Sequence, residues 1–385
     1  MGIIKTAFAV FDYLLVRLIR SVKKKEAVTI EEGYINQFGK TLYEMFFKRY
    51  TEKLWGVSCK KISADWLGQR SRGFNISTVI KNALFKKENI VSFVDEFSYP
   101  KKGIGRIAQK LAEGVVKSKG ELLLNSEVVK VNYSANKIRS VIYKDRNGNN
   151  MEIMGEEFIS TIAISDLIKS LSPKAPERIL KTNSKLTYRD EIQVVLFVKK
   201  TKVTPDTWIY VHSRELPFVR FMEMDNWSER LSPKDKTSIV FEIACNENDP
   251  VWNMKDDKIA EIVIDSFIEE FNLIDRRDID GFYIHRVPKE YPVYHIGYRE
   301  DLNIIKQYLK NFTNLQIAGR NGIFRYNNMD HSIEMGLYAA WNIIENERKF
   351  DVESVNIEKE YLEEKKIRNS QPELPEDQYV EEKKI

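Results

Sequence analysis

Apolar positions change their period along this chain, and the changes mark its elements. Residues 3–19 are apolar but broken by Lys5, Asp12 and Arg17, too often for a membrane span of about 20 apolar residues. The pattern predicts an amphipathic helix packed on the protein. Lys23, Lys24 and Lys25 follow it and leave attachment to a membrane surface as the alternative. Thr29 and Glu32 stand at capping-box spacing, and Phe38, Leu42, Phe46 and Tyr50 recur every fourth residue, which predicts a helix with one apolar face. A second helix start is expected at 63–66. Further on, the pattern predicts a strand over 90–97, a helix over 103–119, strands over 121–131 and 137–143 with a turn at 145–148, and a short helix over 165–170. Alternation then returns over 191–198, 207–211, 218–222 and 238–243, as expected of an antiparallel sheet, and a helix follows over 257–271. A short apolar strand over 315–318 leads through a polar loop to an apolar helix ending near Ile344. From Val352 the chain is mostly charged and carries Pro372 and Pro375, which predicts a solvated helix and a disordered tail. No internal repeat is visible.

The length of 385 residues allows two domains with their own cores. Sixty-one basic against 57 acidic residues give a net charge of only +4, unlike the strongly basic surface of a nucleic-acid binder. Cys59 and Cys245 lie far apart without metal-ligand spacing, and four histidines are scattered. A disulfide framework or a metal site is not expected, and a reducing cytoplasm is the default location. Trp208 and Trp252 are expected in the core.

Two segments suggest cofactor chemistry. Residues 103–108 (GIGRIA) fit the dinucleotide pattern G-x-G-x-x-G/A, but the pattern needs a strand running straight into its first glycine. Here 98–102 intervenes, and Pro100 breaks that entry, so the glycines read as a tight turn into a helix. The other segment is 314–336. Its strand delivers Gly319 and Arg320 to a turn, and the next helix begins with N–H groups that have no internal partner and can receive negative charge.

Several long motifs occur in an order that resembles one superfamily. They are 38–56 (FGKTLYEMFFKRYTEKLWG), 62–66 with Gln69 and Arg70, 97–100, the Tyr291-Pro-Val-Tyr294 segment and the 319–336 block. Over about residues 28–346 the chain is similar to FAD-dependent proteins of the amine oxidase, protoporphyrinogen oxidase and UDP-galactopyranose mutase superfamily. The resemblance implies an α+β fold. It divides the chain into a helical substrate-side segment (1–90), the remainder of an FAD-binding domain (91–185 and 311–346), an antiparallel-sheet substrate domain (186–310) and a charged, partly disordered tail (347–385). Family members open with a strand, a G-x-G-x-x-G turn and a helix, so the expectation is an N-terminally truncated or split form. Apolar surface left uncovered in such a form would promote self-association.

Carried over by position, the resemblance implies an FAD site. Val128 would meet the adenine, Gly319 and Arg320 the pyrophosphate and ribityl chain, and Asn328, Met329 and Asp330 the isoalloxazine. Arg286, Tyr291, Tyr294 and Tyr298, with Arg220 and Arg325, are candidates to receive a small-molecule or nucleotide-sugar substrate, the arginines pairing with phosphate. His331 reads as a proton-transfer group or as a polar first-turn residue. No catalytic acid or base can be named. The leading expectation is an FAD-dependent oxidoreductase in which the flavin accepts a hydride. The alternatives are a mutase using reduced flavin on a nucleotide sugar, and an inert remnant or a subunit completed by a partner chain carrying the dinucleotide-binding unit.

Overall fold

The computed structural model describes residues 3–22, 26–70 and 99–356. The strand expected over 90–97 and the tail beyond residue 356 lie outside them. Helices α1 (Ile3–Val22), α2 (Ile30–Phe38), α3 (Lys40–Leu42), α4 (Lys48–Trp55) and α5 (Asp65–Arg70) come first. The Thr29 hydroxyl accepts from the Glu32 N–H at 3.1 Å, and the Glu32 carboxylate accepts from the Thr29 N–H, so the expected capping box starts α2.

Between α3 and α4 the chain makes a π-helical turn, Tyr43–Phe47. Its extra residue shifts the apolar face by one position. Phe47 therefore stacks on Phe38 at 4.7 Å and on Tyr34 at 4.5 Å, while Phe46 stays exposed. The four-residue spacing pointed to the neighbour of the ring that is used.

The packing of α1 also departs from expectation. Ala9 and Tyr13 are its buried contacts, and the broad apolar stripe faces out. The Asp12 carboxylate accepts from the Thr41 N–H at 2.6 Å. Gly39, at φ +82°, lets the chain come this close: a Cβ there would lie 3.0 Å from that carboxylate. A polar anchor thus decides which side of α1 turns inward.

Helix α6 (Gly105–Lys117) precedes a sheet of order β3-β2-β1-β5, built from β1 (Glu127–Ser134), β2 (Lys137–Lys144), β3 (Asn150–Met154) and β5 (Leu171–Ser172). The segment 121–126, expected to extend the first strand, has no regular structure. Strand β4 (Phe158–Ser160) precedes α7 (Ile164–Ser170) and pairs in parallel with β11 (Leu315–Ile317). Helix α8 (Glu177–Asn183) leads to the largest sheet, of order β10-β6-β9-β8-β7. Its strands are β6 (Tyr188–Val198), β7 (Trp208–Tyr210), β8 (Arg220–Glu223), β9 (Thr237–Cys245) and β10 (Ile279–Pro292), antiparallel throughout.

One face of this sheet presents Ile192, Val194, Leu196, Ile239 and Phe241, which pack with Val263 and Phe267 of α9 (Asp256–Phe271) into the main core. Trp252 packs against that core, as expected, but Trp208 does not. It lies on edge strand β7, 39% exposed, and stacks on Trp227. Helix α10 (Tyr298–Leu309) and β11 lead through the short α11 (Gly319–Gly322) to α12 (Met329–Ile344). Residues 352–355 are not solvated as expected: Val352 and Val355 are buried against Ala318, Ile323, Met335 and Ala339. Arg325 holds them there through Nη1 bonds to the carbonyls of Glu353 and Val355.

Candidate functional site

Directly opposed residues on neighbouring antiparallel strands point to the same face. Tyr210 opposes Arg220, Arg220 opposes Glu242, Glu242 opposes Gln193, and Gln193 opposes His285. Since their sequence neighbours Phe221, Phe241, Ile192 and Val194 form the core, this polar row crosses all five strands on the other face.

Arg220 binds Glu242 with two bonds, at 2.8 and 2.5 Å, and lies over the Tyr210 ring. On the same face, the Glu191 Oε1 accepts from Gln193 Nε2 at 2.9 Å, while its Oε2 is buried without a hydrogen-bond partner. Desolvation and then the nearby Glu242 push the Glu191 carboxyl up to about 8. Burial and the neighbouring carboxylate thus favour its protonated form, which has an O–H to donate.

The end of β10 forms the second arm. The Arg320 guanidinium donates to the Asn327 carbonyl at 2.9 and 2.7 Å, and to the Glu290 carbonyl and carboxylate at 3.1 and 2.8 Å. It sits 5.3 Å from the Tyr291 ring centre and 5.1 Å from that of Tyr326, and those two rings stack on each other. Trp55 of α4 meets Tyr291 edge-on. Tyr291 acts electrostatically on Arg220, and burial drives its hydroxyl well above the usual range. Burial also raises the Glu290 carboxyl, against the pull of Arg320. The two arms thus bring Arg220, Glu242, Glu191, Glu290, Arg320 and Tyr291 into one neighbourhood.

Through Asn327 this neighbourhood reaches the start of α12. There the Asn328 N–H donates to His331 Nδ1 at 3.2 Å in a reciprocal cap, so that nitrogen is occupied by the backbone. Met329 and the Asp330 side chain are exposed at this helix start, where the cap takes the His331 N–H and the Met329 and Asp330 N–H groups have no intrahelical partner. Gly319, at φ +79°, has nothing closer than 3.8 Å to where a Cβ would stand, so its backbone is open to a ligand.

These groups fit the ring end of a flavin, an exposed helix N-terminus beside an open glycine. They do not form a pyrophosphate cradle. Gly103 closes a turn onto the Pro100 carbonyl, and among the described residues no strand runs through a G-x-G-x-x-G turn into a helix.

The other sequence-predicted residues are placed elsewhere. Val128 lies on β1, in the separate four-stranded sheet. Arg286 opposes Ile192 on the core side, and its guanidinium holds Trp252, Met254 and Asp256. Tyr294 and Tyr298 are buried and stacked at 4.4 Å, with the Tyr294 hydroxyl accepting from the Tyr326 N–H. Through that bond they support Tyr326, which stacks on Tyr291, and Arg325 holds residues 353–355. Sequence reasoning missed Glu191, Gln193, Glu242, Glu290 and Tyr326. Polar letters inside otherwise apolar alternation, at 191, 193 and 242, were the available signal.

Among the described residues no group of three or more His, Cys, Asp or Glu side chains could hold a metal ion, and no helix is long and apolar enough to cross a membrane. A family model described as flavin containing amine oxidoreductase matches residues 14–344. The fold is similar to that of reduced UDP-galactopyranose mutase, with TM-score 0.78 and 19% identity over 94% of this chain and 78% of that one. It is also similar to a protein assigned as a protoporphyrinogen oxidase from Exiguobacterium sp. 255-15, with TM-score 0.60 and 14% identity over 87% of this chain and 73% of that one. An oxidoreductase from Methanosarcina mazei gives 0.53 and 13% over 84% and 68%. At such identities these likenesses establish the α+β fold alone.

Proposed function

The chain belongs to the flavin containing amine oxidoreductase family, and we propose that it carries the substrate side of an FAD-dependent amine oxidoreductase. The observation that carries this reading is the polar row on the large sheet, joined by Arg320 to the start of α12. When bound, FAD would supply the hydride acceptor. Gly319 and the N–H end of α12, near Asn328, Met329 and Asp330, would hold its ring end and stabilise negative charge there. A strand–Gly-rich turn–helix unit, joined to the chain or supplied by a second polypeptide, would complete the pyrophosphate end by adding to the β4–β11 sheet.

The substrate would lie between Tyr291 and the carboxylates. Arg220 is paired with Glu242 and Arg320 with Glu290, so neither arginine offers a free charge to a diphosphate. Glu191 retains an oxygen without a hydrogen-bond partner. Once ionised it makes the pocket negative and suited to an ammonium group. Two buried free thiols, Cys59 and Cys245, fit a cytoplasmic setting.

The test is an absorption spectrum of the chain after incubation with FAD and removal of the unbound fraction, alone and with a strand–Gly-rich turn–helix unit added. Retained flavin that small amines bleach without oxygen supports the proposal. A chain that stays colourless in both forms overturns it. The mutase reading rests on the same aromatic walls and predicts that a nucleotide sugar perturbs the reduced, flavin-loaded sample while amines leave the oxidised sample unchanged.

A further inference from the structure

Helix α1 is turned the opposite way from most surface helices. At 100° per residue, Phe8, Phe11, Leu14, Leu15, Leu18 and Ile19 fall within one arc of roughly 140° that runs for about 18 Å. All six are between 43% and 66% exposed. Its opposite side does the packing: Ala9 and Tyr13 are buried, Asp12 holds the Thr41 N–H, Arg17 bonds the Tyr13 hydroxyl and Arg20 reaches the Asn36 carbonyl. A surface helix ordinarily buries such a stripe.

Charge identifies what covers it. Residues 1–25 hold six basic side chains, Lys5, Arg17, Arg20, Lys23, Lys24 and Lys25, and a single acid. That acid, Asp12, is bound to the protein's own backbone. This segment therefore carries more than the whole chain's net +4. A second copy docking through the same stripe would bring two such positive segments together. A bilayer with anionic headgroups offers both an apolar layer for the phenylalanines and leucines and negative charge for the flanking cations.

We propose that α1 lies in the interface of an anionic membrane, with the arc from Phe8 to Ile19 inserted among the acyl chains and the protein held on that surface. It spans nothing. The helix sits in the headgroup boundary, and its polar side stays docked on α2 and α3.

The test is co-sedimentation of the full chain with phosphatidylcholine vesicles, with and without about one-third phosphatidylglycerol. Binding is expected to the anionic vesicles, to weaken severalfold as salt is raised, and to fall at least about tenfold in a Phe11→Ser/Leu18→Ser variant. Both positions are exposed, so the variant should melt like the parent, and its thermal transition checks this. Absence of binding to anionic vesicles, or equal binding by the variant, would overturn the proposal. So would a dimer in light scattering that the double substitution converts to monomer, since a second copy would then be the occupant.

Discussion

The five-stranded antiparallel sheet and the parallel pair β4–β11 occupy one chain under very different conditions. The large sheet covers one face with α9, and Phe218, Phe221, Phe241, Phe267 and Phe271 interlock there at ring distances of 4.9–6.4 Å. Its other face is polar and carries the row from Tyr210 to His285. In the parallel pair each strand has three residues and, among the described residues, one sheet partner, and Ile159 is 39% exposed. Helix α6 buries no residue, and Leu111, Val115 and Val116 stay exposed. An antiparallel sheet is complete with one face covered, whereas parallel strands are stable when flanked by further strands and covered on both faces. Stability should therefore be concentrated in the five-stranded sheet and α9.

Four substitutions can break or sharpen that contrast. Phe221→Ala, at the centre of the ring cluster, should cost about 3–5 kcal/mol in denaturant unfolding; a loss near that of a surface residue would mean that the phenylalanine core is not what holds the sheet. Asn314 ties β11 to β2 and to the segment before β4: its side chain accepts from the Ile138 N–H and donates to the carbonyls of Ile138 and Glu156. Asn314→Ala should cost about 2–3 kcal/mol, with hydrogen exchange accelerated in β4 and β11 before β6 and β9. If both regions accelerate together, they unfold as one unit.

The polar face gives a smaller, pH-dependent effect. Folding raises the Glu191 pKa to about 8, so the stability it contributes is fully present at low pH and is lost as the pH rises through that value. Glu191→Gln should therefore melt a few degrees above the parent near pH 9 and almost with it near pH 5. Equal melting at both would show that Glu191 is not held protonated by burial. Leu111→Ser on α6 should change stability by less than about 0.5 kcal/mol, and a larger loss would show that α6 is covered in solution.

The same contrast explains what the sequence makes legible. Strands β6 and β9 alternate cleanly because one face is apolar and the other polar, and α9 carries a strong helical period. Strand β10 is the longest in the sheet, yet the pattern does not reveal it. Gly281 and Pro288 interrupt it, and Lys289 takes a positive φ at a bulge before Tyr291. Pro288 is tolerated because β10 is an edge strand. The site was half visible for a related reason. Arg220, Tyr291 and Arg320 stand out as residue types, whereas Glu191 and Glu242 gain meaning only when strand register places them side by side. Arg286, a neighbour in sequence of the same region, falls on the other face through alternation alone.

Arg320 has a mechanical consequence. Four hydrogen bonds and two aromatic rings hold its guanidinium, so it behaves as a rigid strut between the start of α12 and the end of β10. A displacement at the helix end is passed to the Tyr291 ring instead of being absorbed by a loose side chain. The start of α12 and the end of β10 therefore keep a fixed spacing, and this sets the length of any ligand that touches both.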